Sequence, residues 1–184
     1  MRVLGISGSL RRGSYNTELL RAARELAPGD VTIELYDDLE SVPPYNEDRD
    51  TDEAPVEVAR LREAIAGADA VLIATPEYNA SVPGQLKNAI DWASRPVRAG
   101  VLWGKPVAVI GASTGMYGGV WAQAELRKIL ATGGARVADV EVAVRRATER
   151  FDEHGRLVDE EIRDELRAAL ATLTAAARPE LVAA

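Results

Sequence analysis

The chain predicts an α/β fold, a three-layer sandwich in which a five-stranded parallel sheet of order 2-1-3-4-5 lies between helices. Three observations predict it. Segments with strand and helix patterns alternate along the sequence, which argues for a parallel sheet covered on both faces. Two of the strand segments, 70–75 and 106–111, are continuously apolar, as strands buried on both sides are. Right-handed crossovers leave few topologies for such a chain, and 2-1-3-4-5 is the commoner one for five strands.

Each element has its own signal. Residues 3–6 form a short apolar run that stops at Ser7-Gly8. Residues 17–26 carry Leu19, Leu20, Ala23 and Leu26 at helical spacing. Residues 31–36 alternate, with Val31, Ile33 and Leu35 on one face. An acidic loop follows over 37–54. Residues 55–66 are a helix with Val58, Leu61 and Ile65 on one side, and strand 70–75 comes next. Helix 82–94 places Leu86, Ile90 and Ala93 together, and Ser81 ahead of Pro83 suits a helix cap. Strand 106–111 leads to helix 120–131, which Gly133-Gly134 ends. Residues 135–144 read as the fifth strand, and 159–177 as a last amphipathic helix with Ile162, Leu166, Leu170 and Leu173. With no repeat or linker, one domain accounts for residues 1–184.

Composition excludes several functions. None of the 184 residues is cysteine, which removes disulfides, thiolate metal sites, iron–sulfur clusters and cysteine nucleophiles; redox chemistry here needs a bound cofactor. A net charge of -7 argues against nucleic acid as a partner. Residues 2–6 read directly as a strand with no leader pattern, and no apolar run approaches ~18 residues, so the expected compartment is the cytoplasm and no membrane partner is expected.

In open α/β sheets, ligands bind beyond the carboxyl ends of the strands where strand order reverses. That rule selects three loops. The first, Ser7 to Asn16, offers Ser9, Ser14 and Thr17 hydroxyls, flexible glycines and Arg11 at the start of a helix, a setting that attracts a phosphate monoester. A plain helix cap by Ser14 or Asn16 explains the same residues equally well. The second, Thr75 to Val82, is stiffened by proline and brings the Tyr78 ring and the Asn79 amide, which suit a planar heterocycle or a turn. The third, Ala112 to Gly119, is glycine-rich, and by itself reads as a flexible connection. The glycines fit neither G-x-G-x-x-G nor a P-loop.

The three loops together resemble the NAD(P)H-dependent FMN reductases of flavodoxin-like fold, a family that includes quinone, chromate and azo-dye reductases. The matching stretches are Gly8-Ser9-Leu10-Arg11-Arg12-Gly13-Ser14-Tyr15-Asn16, then Thr75-Pro76-Glu77-Tyr78-Asn79 with Ser81-Val82-Pro83-Gly84 and Leu86-Lys87-Asn88-Ala89-Ile90-Asp91-Trp92, and Gly104-Lys105-Pro106 leading to Ser113. The resemblance implies that Ser9, Arg11, Ser14 and Asn16 hold the FMN phosphate, with Tyr15 and Thr17 close by. It implies that Pro76, Glu77, Tyr78 and Asn79 border the ring and ribityl chain, and that Ser113, with Thr114 and Gly115, completes the site. The third loop is only loosely like the family's. The chemistry expected is hydride transfer from NADH or NADPH through bound FMN to a small acceptor, a quinone first of all, then chromate, azo compounds or free flavin. No catalytic side chain is named. A homodimer or homotetramer is implied, with the acidic loop a candidate for the contact or a solvated segment.

Two other readings compete. A single-electron carrier of flavodoxin type fits the acidity. A hydrolase fits Gly111-Ala112-Ser113-Thr114-Gly115, a G-x-S-x-G elbow with Asp139 and His154 following in order.

Overall fold

A computed structural model describes residues 1–178; the last six residues of the expected domain lie outside the described ones. The elements are β1 (Arg2–Ser7), α1 (Tyr15–Leu26), β2 (Thr32–Tyr36), α2 (Val56–Ala66), β3 (Ala70–Ala74), α3 (Gly84–Ala93), β4 (Pro106–Ala112), α4 (Val120–Thr132), β5 (Arg136–Val137), β6 (Ala143–Val144) and α5 (Glu160–Ala177). The sheet runs β2-β1-β3-β4-β5 with every pairing parallel, the flavodoxin-like order.

Strand alternation sorts the apolar residues into two cores. Val3, Ile33, Leu72, Ala108 and Ile110 point to one face, where Leu19 and Leu20 of α1 and Leu166, Leu170 and Leu173 of α5 cover them. Leu4, Ile6, Val71, Ile73, Val107 and Val109 point to the other, beneath Val58, Leu61 and Ile65 of α2, Leu86 and Ile90 of α3, and Leu126 and Leu130 of α4. Both faces of β3 and β4 are therefore sealed, which is why those strands are apolar throughout.

The single fifth strand expected over 135–144 is instead two two-residue strands, both paired with β4. Between them the Val140 N–H turns back to the Ala138 carbonyl at 3.0 Å. The Val140 carbonyl accepts from Arg127 of α4 at 3.3 Å instead of joining the sheet. The ladder resumes when Gly111 N–H donates to Val142 O at 2.9 Å.

The acidic loop 37–54 contains two single 3-10 turns, Leu39–Ser41 and Glu47–Arg49. One face of α3 pins it. Gln85 donates to the Leu39 and Val42 carbonyls at 2.7 and 2.9 Å. Asn88 donates to Pro43 O at 2.9 Å and accepts from Tyr45 N–H at 2.7 Å. The Trp92 indole donates to Pro43 O at 2.8 Å, and Tyr45 meets Trp92 edge-on at 4.8 Å. Residues 85, 88 and 92 share a stripe of the helix, so much of the Leu86–Trp92 motif serves this attachment. Ser81 does not cap α3: Pro83 occupies the cap, and the Ser81 hydroxyl donates to Glu125 at 2.7 Å.

Candidate active site at the carboxyl ends of the strands

The first loop breaks from β1 at Gly8, whose N–H donates to Ala74 O at 2.8 Å and ties the loop to β3. A Cβ at this position would sit 2.7 Å from Leu86 Cδ2, so any larger residue would push the Leu86 side chain of α3 aside. The Ser7 hydroxyl organises the turn. It accepts from Thr17 Oγ1 at 3.0 Å and from Ser9 N–H at 3.3 Å. Ser14, 2% exposed, caps α1 by accepting from Asn16 N–H at 3.2 Å, an arrangement worth about 1 kcal/mol.

Between these fixed points the loop leaves its polar groups open. Among the described residues the backbone N–H groups of 10–13 make no hydrogen bond, and neither do those of Tyr15 and Thr17 in the first turn of α1. Arg11 is exposed, with only a 3.5 Å contact to Arg12 O. Unpaired N–H groups at a helix N-terminus, the Ser9 hydroxyl, uncommitted among the described residues, and a free guanidinium form the donor set a phosphate monoester needs. The residues present therefore fit the phosphate end of FMN.

Asn16 has a different setting. It is 3% exposed, donates to Ala112 O at 3.0 Å and accepts from Ala112 N–H at 2.9 Å. Its amide bridges α1 to the end of β4 and sets the first loop against the third. Tyr15 packs its ring on Phe151 with centroids 5.3 Å apart.

The second loop is a two-residue hairpin. Tyr78 and Ser81 exchange backbone hydrogen bonds at 3.1 Å, and Asn79 and Ala80 at the tip have φ of 53° and 58°, a type I′ turn. Alanine in the left-handed region carries strain of about 1–2 kcal/mol. Pro76 is buried, whereas Tyr78, Asn79 and Ala80 stand exposed. The Glu77 carboxylate caps α4 from outside, accepting from Trp121 N–H and Ala122 N–H at 3.1 Å each, where the helix dipole favours an anion.

The third loop begins with Ser113, whose N–H donates to Val144 O at 3.0 Å and whose hydroxyl accepts from Gly115 N–H at 3.1 Å. Thr114 and Gly115 are exposed. Met116, Tyr117 and Trp121 follow with half or more of their surfaces open, and the Tyr117 and Trp121 rings lie 4.8 Å apart. These three join Tyr78, which the sequence selects, as exposed apolar surface at the strand ends; the three themselves the sequence reading did not select. Two aromatic residues four apart across a helix start were the available signal.

The hydrolase constellation does not assemble. Ser113 accepts from its own loop, Asp139 is exposed beside the broken strand, and no hydrogen bond joins them to His154 among the described residues. The His154 side chain is 66% exposed, beside Glu153 on the α1–α5 side.

A cavity of about 510 Å³ opens beside the first loop. It runs from Ser9 and Arg11 along the Thr17, Arg21 and Arg24 face of α1 to the end of β2. Tyr36, at the end of β2, turns its ring toward the α2–α3 face, where its hydroxyl is shut off from solvent without a hydrogen-bond partner among the described residues. Burial, then the neighbouring Asp38 carboxylate, push its pKa up, so it remains a donor at neutral pH. Sequence reading missed this cavity, although residues 17, 21 and 24 already lay on one helical face.

The sequence matches the model of the family described as NADPH-dependent FMN reductase over residues 1–149. It is 47% identical over 174 residues to an NAD(P)H-dependent FMN reductase of Pseudomonas aeruginosa, covering 94% of this chain and 93% of that one. It is 41% identical to a 2-hydroxy-1,4-benzoquinone reductase of a Burkholderia species, with 91% of each covered. The fold superposes on a flavoenzyme NAD(P)H:(acceptor) oxidoreductase of Paracoccus denitrificans with a TM-score of 0.84 at 37% identity, covering 95% of this chain and 97% of that one. The chain belongs to the NADPH-dependent FMN reductase family and is an oxidoreductase that works with FMN and a reduced nicotinamide.

Proposed function

We propose that the protein transfers hydride from NADPH or NADH, by way of FMN bound at the three strand-end loops, to a small quinone-like acceptor. The observation that carries this reading is the run of unpaired N–H groups over 10–13 beside the Ser9 and Thr17 hydroxyls, in a chain whose relatives are named FMN and quinone reductases. FMN, when bound, supplies the hydride-accepting and hydride-donating chemistry.

The chain's own residues divide the remaining work. Ser9, Arg11 and Thr17, with the loop N–H groups, hold the phosphate, while Ser14 fixes the helix start that presents them. Asn16 keeps that helix in register with the third loop, and Tyr15 braces the same turn against Phe151. Pro76 and the rigid hairpin of Tyr78 and Asn79 wall the ring on one side, Glu77 anchors that hairpin to α4, and Ser113, Thr114 and Gly115 line the other. The open apolar surface of Tyr78, Met116, Tyr117 and Trp121 excludes water from flat rings that stack there. No side-chain acid or base is required.

The reading extends to one domain over the whole chain, a cytoplasmic location and a homodimer or homotetramer. Chromate, azo compounds and free flavin are secondary acceptors. The test is an absorption spectrum of the purified protein, before and after added FMN, then with NADPH under nitrogen. Flavin bands near one per chain that bleach with NADPH and return with benzoquinone are the expected result. A protein that takes up no FMN sinks the reading. Turnover that stops unless a protein partner is added would favour the single-electron carrier.

A further inference from the structure

We infer that the cavity along α1 binds the adenosine 2′-phosphate end of NADPH, with Arg24 and Arg21 as the residues that distinguish it from NADH. This rests on the function proposed above.

Four guanidiniums, from Arg11, Arg12, Arg21 and Arg24, border a cavity in a chain whose net charge is -7. Only Arg21 is in an ion pair among them, with Glu18 one turn back. Isolated arginines on an acidic protein normally find carboxylates; here three have none among the described residues. The remaining cavity chemistry matches an adenosine rather than a bare anion. Leu35 and Leu39 give it an apolar wall. Asp37, just past the end of β2, adds a carboxylate that can accept from a ribose hydroxyl.

Size and position agree. A cavity of about 510 Å³ lies in the range that holds a nucleotide fragment. Thr17 and Arg24 are seven residues apart, so the helix carries its cations about 10 Å away from the phosphate loop. The groove is thus continuous with the first loop yet extends well past the space a monoester fills, and Arg24 is too distant to share that phosphate. A guanidinium fork recognises a terminal phosphate bidentately, and NADH presents only a hydroxyl there.

The experiment uses the FMN-loaded protein, its Arg24→Ala and Arg21→Ala/Arg24→Ala variants, and Arg24→Lys. Calorimetric titration with adenosine 2′,5′-bisphosphate and with ADP reads binding directly, and steady-state kinetics give KM for NADPH and NADH. The expected result is tighter binding of the bisphosphate than of ADP, a difference erased in the double variant. The ratio of KM for NADPH to KM for NADH should rise about tenfold in Arg24→Ala, with partial recovery in Arg24→Lys and unchanged FMN content. An unchanged ratio with FMN retained overturns the assignment while leaving the reductase reading intact. Loss of FMN from Arg24→Ala, or FAD binding more tightly than FMN in an Arg24-dependent way, overturns it too, because the groove would then serve the flavin.

Discussion

The first loop and the acidic loop teach opposite lessons about what makes a loop functional. The acidic loop is the longer and more charged, and it draws the eye in the sequence. Yet its polar groups are used internally: its carbonyls go to Gln85, Asn88 and Trp92, and Asp50 pairs with Arg62 at 2.7 Å, both side chains mostly buried. The first loop is short, nearly uncharged apart from its arginines, and leaves consecutive N–H groups open between the anchors at Ser7, Gly8 and Ser14. Polar groups that are held in place and left unpaired mark the site; charge and length do not.

Several substitutions sharpen or break that contrast. Trp92→Ala has the largest expected effect, about 3–5 kcal/mol of stability, because a fully buried indole is lost together with its bond to Pro43 and its contact with Tyr45. Urea unfolding of the variant checks it, and a loss below about 1 kcal/mol would mean that the acidic loop does not depend on α3. Asn16→Ala should come next, at about 2–3 kcal/mol, since it strips both partners from the buried Ala112 peptide groups. Thermal unfolding without flavin isolates that cost from any change in FMN binding.

Arg11→Ala should weaken FMN about tenfold to a hundredfold, the value of one charge-assisted hydrogen bond, and leave the flavin-free protein as stable as before. Flavin fluorescence titration reads the first and calorimetry the second; equal losses in both would place Arg11 among the structural residues. Ala80→Gly removes a left-handed alanine and should stabilise the protein by about 0.5–1 kcal/mol, visible as a higher unfolding midpoint.

The smallest effect is one of pH. Burial, then Glu161 and Asp159, raise the Glu165 pKa. A carboxyl raised in the folded state helps most below its unfolded pKa, and that help is lost as pH rises through the folded value. Glu165→Gln should therefore flatten a decline in stability on moving from acid toward neutral pH, as followed by urea midpoints across that range.

The sheet was legible because β3 and β4 announce themselves by continuous apolarity, and the helices by stripes that lie on the two cores. The split of the fifth strand was not, because Val137, Val140, Val142 and Val144 read as strand residues and the device that divides them, Arg127 reaching the Val140 carbonyl, comes from α4. At the site, the residue types of the first loop were readable from their order, but the use of each was not. Asn16 looks like a ligand in a serine-rich loop and proves to clasp β4, a contact 96 positions away. Glu77 likewise faces a distant helix start rather than open space. Arg21 and Arg24 passed unnoticed because only the end of β2, brought beside α1 by the sheet order, makes a cavity of their helical face.

The divided fifth strand bears on how copies of this protein can meet. An unpaired sheet edge is a ready template for another chain's backbone, and long flat edges invite fibrous stacking. Here that margin consists of two-residue pieces separated by a turn that rotates the intervening amides out of line. No continuous row of donors and acceptors remains for an incoming strand to register against. Self-association by sheet extension through this border is thereby disfavoured, and copies that meet on this side of the molecule must use helical or loop surfaces instead.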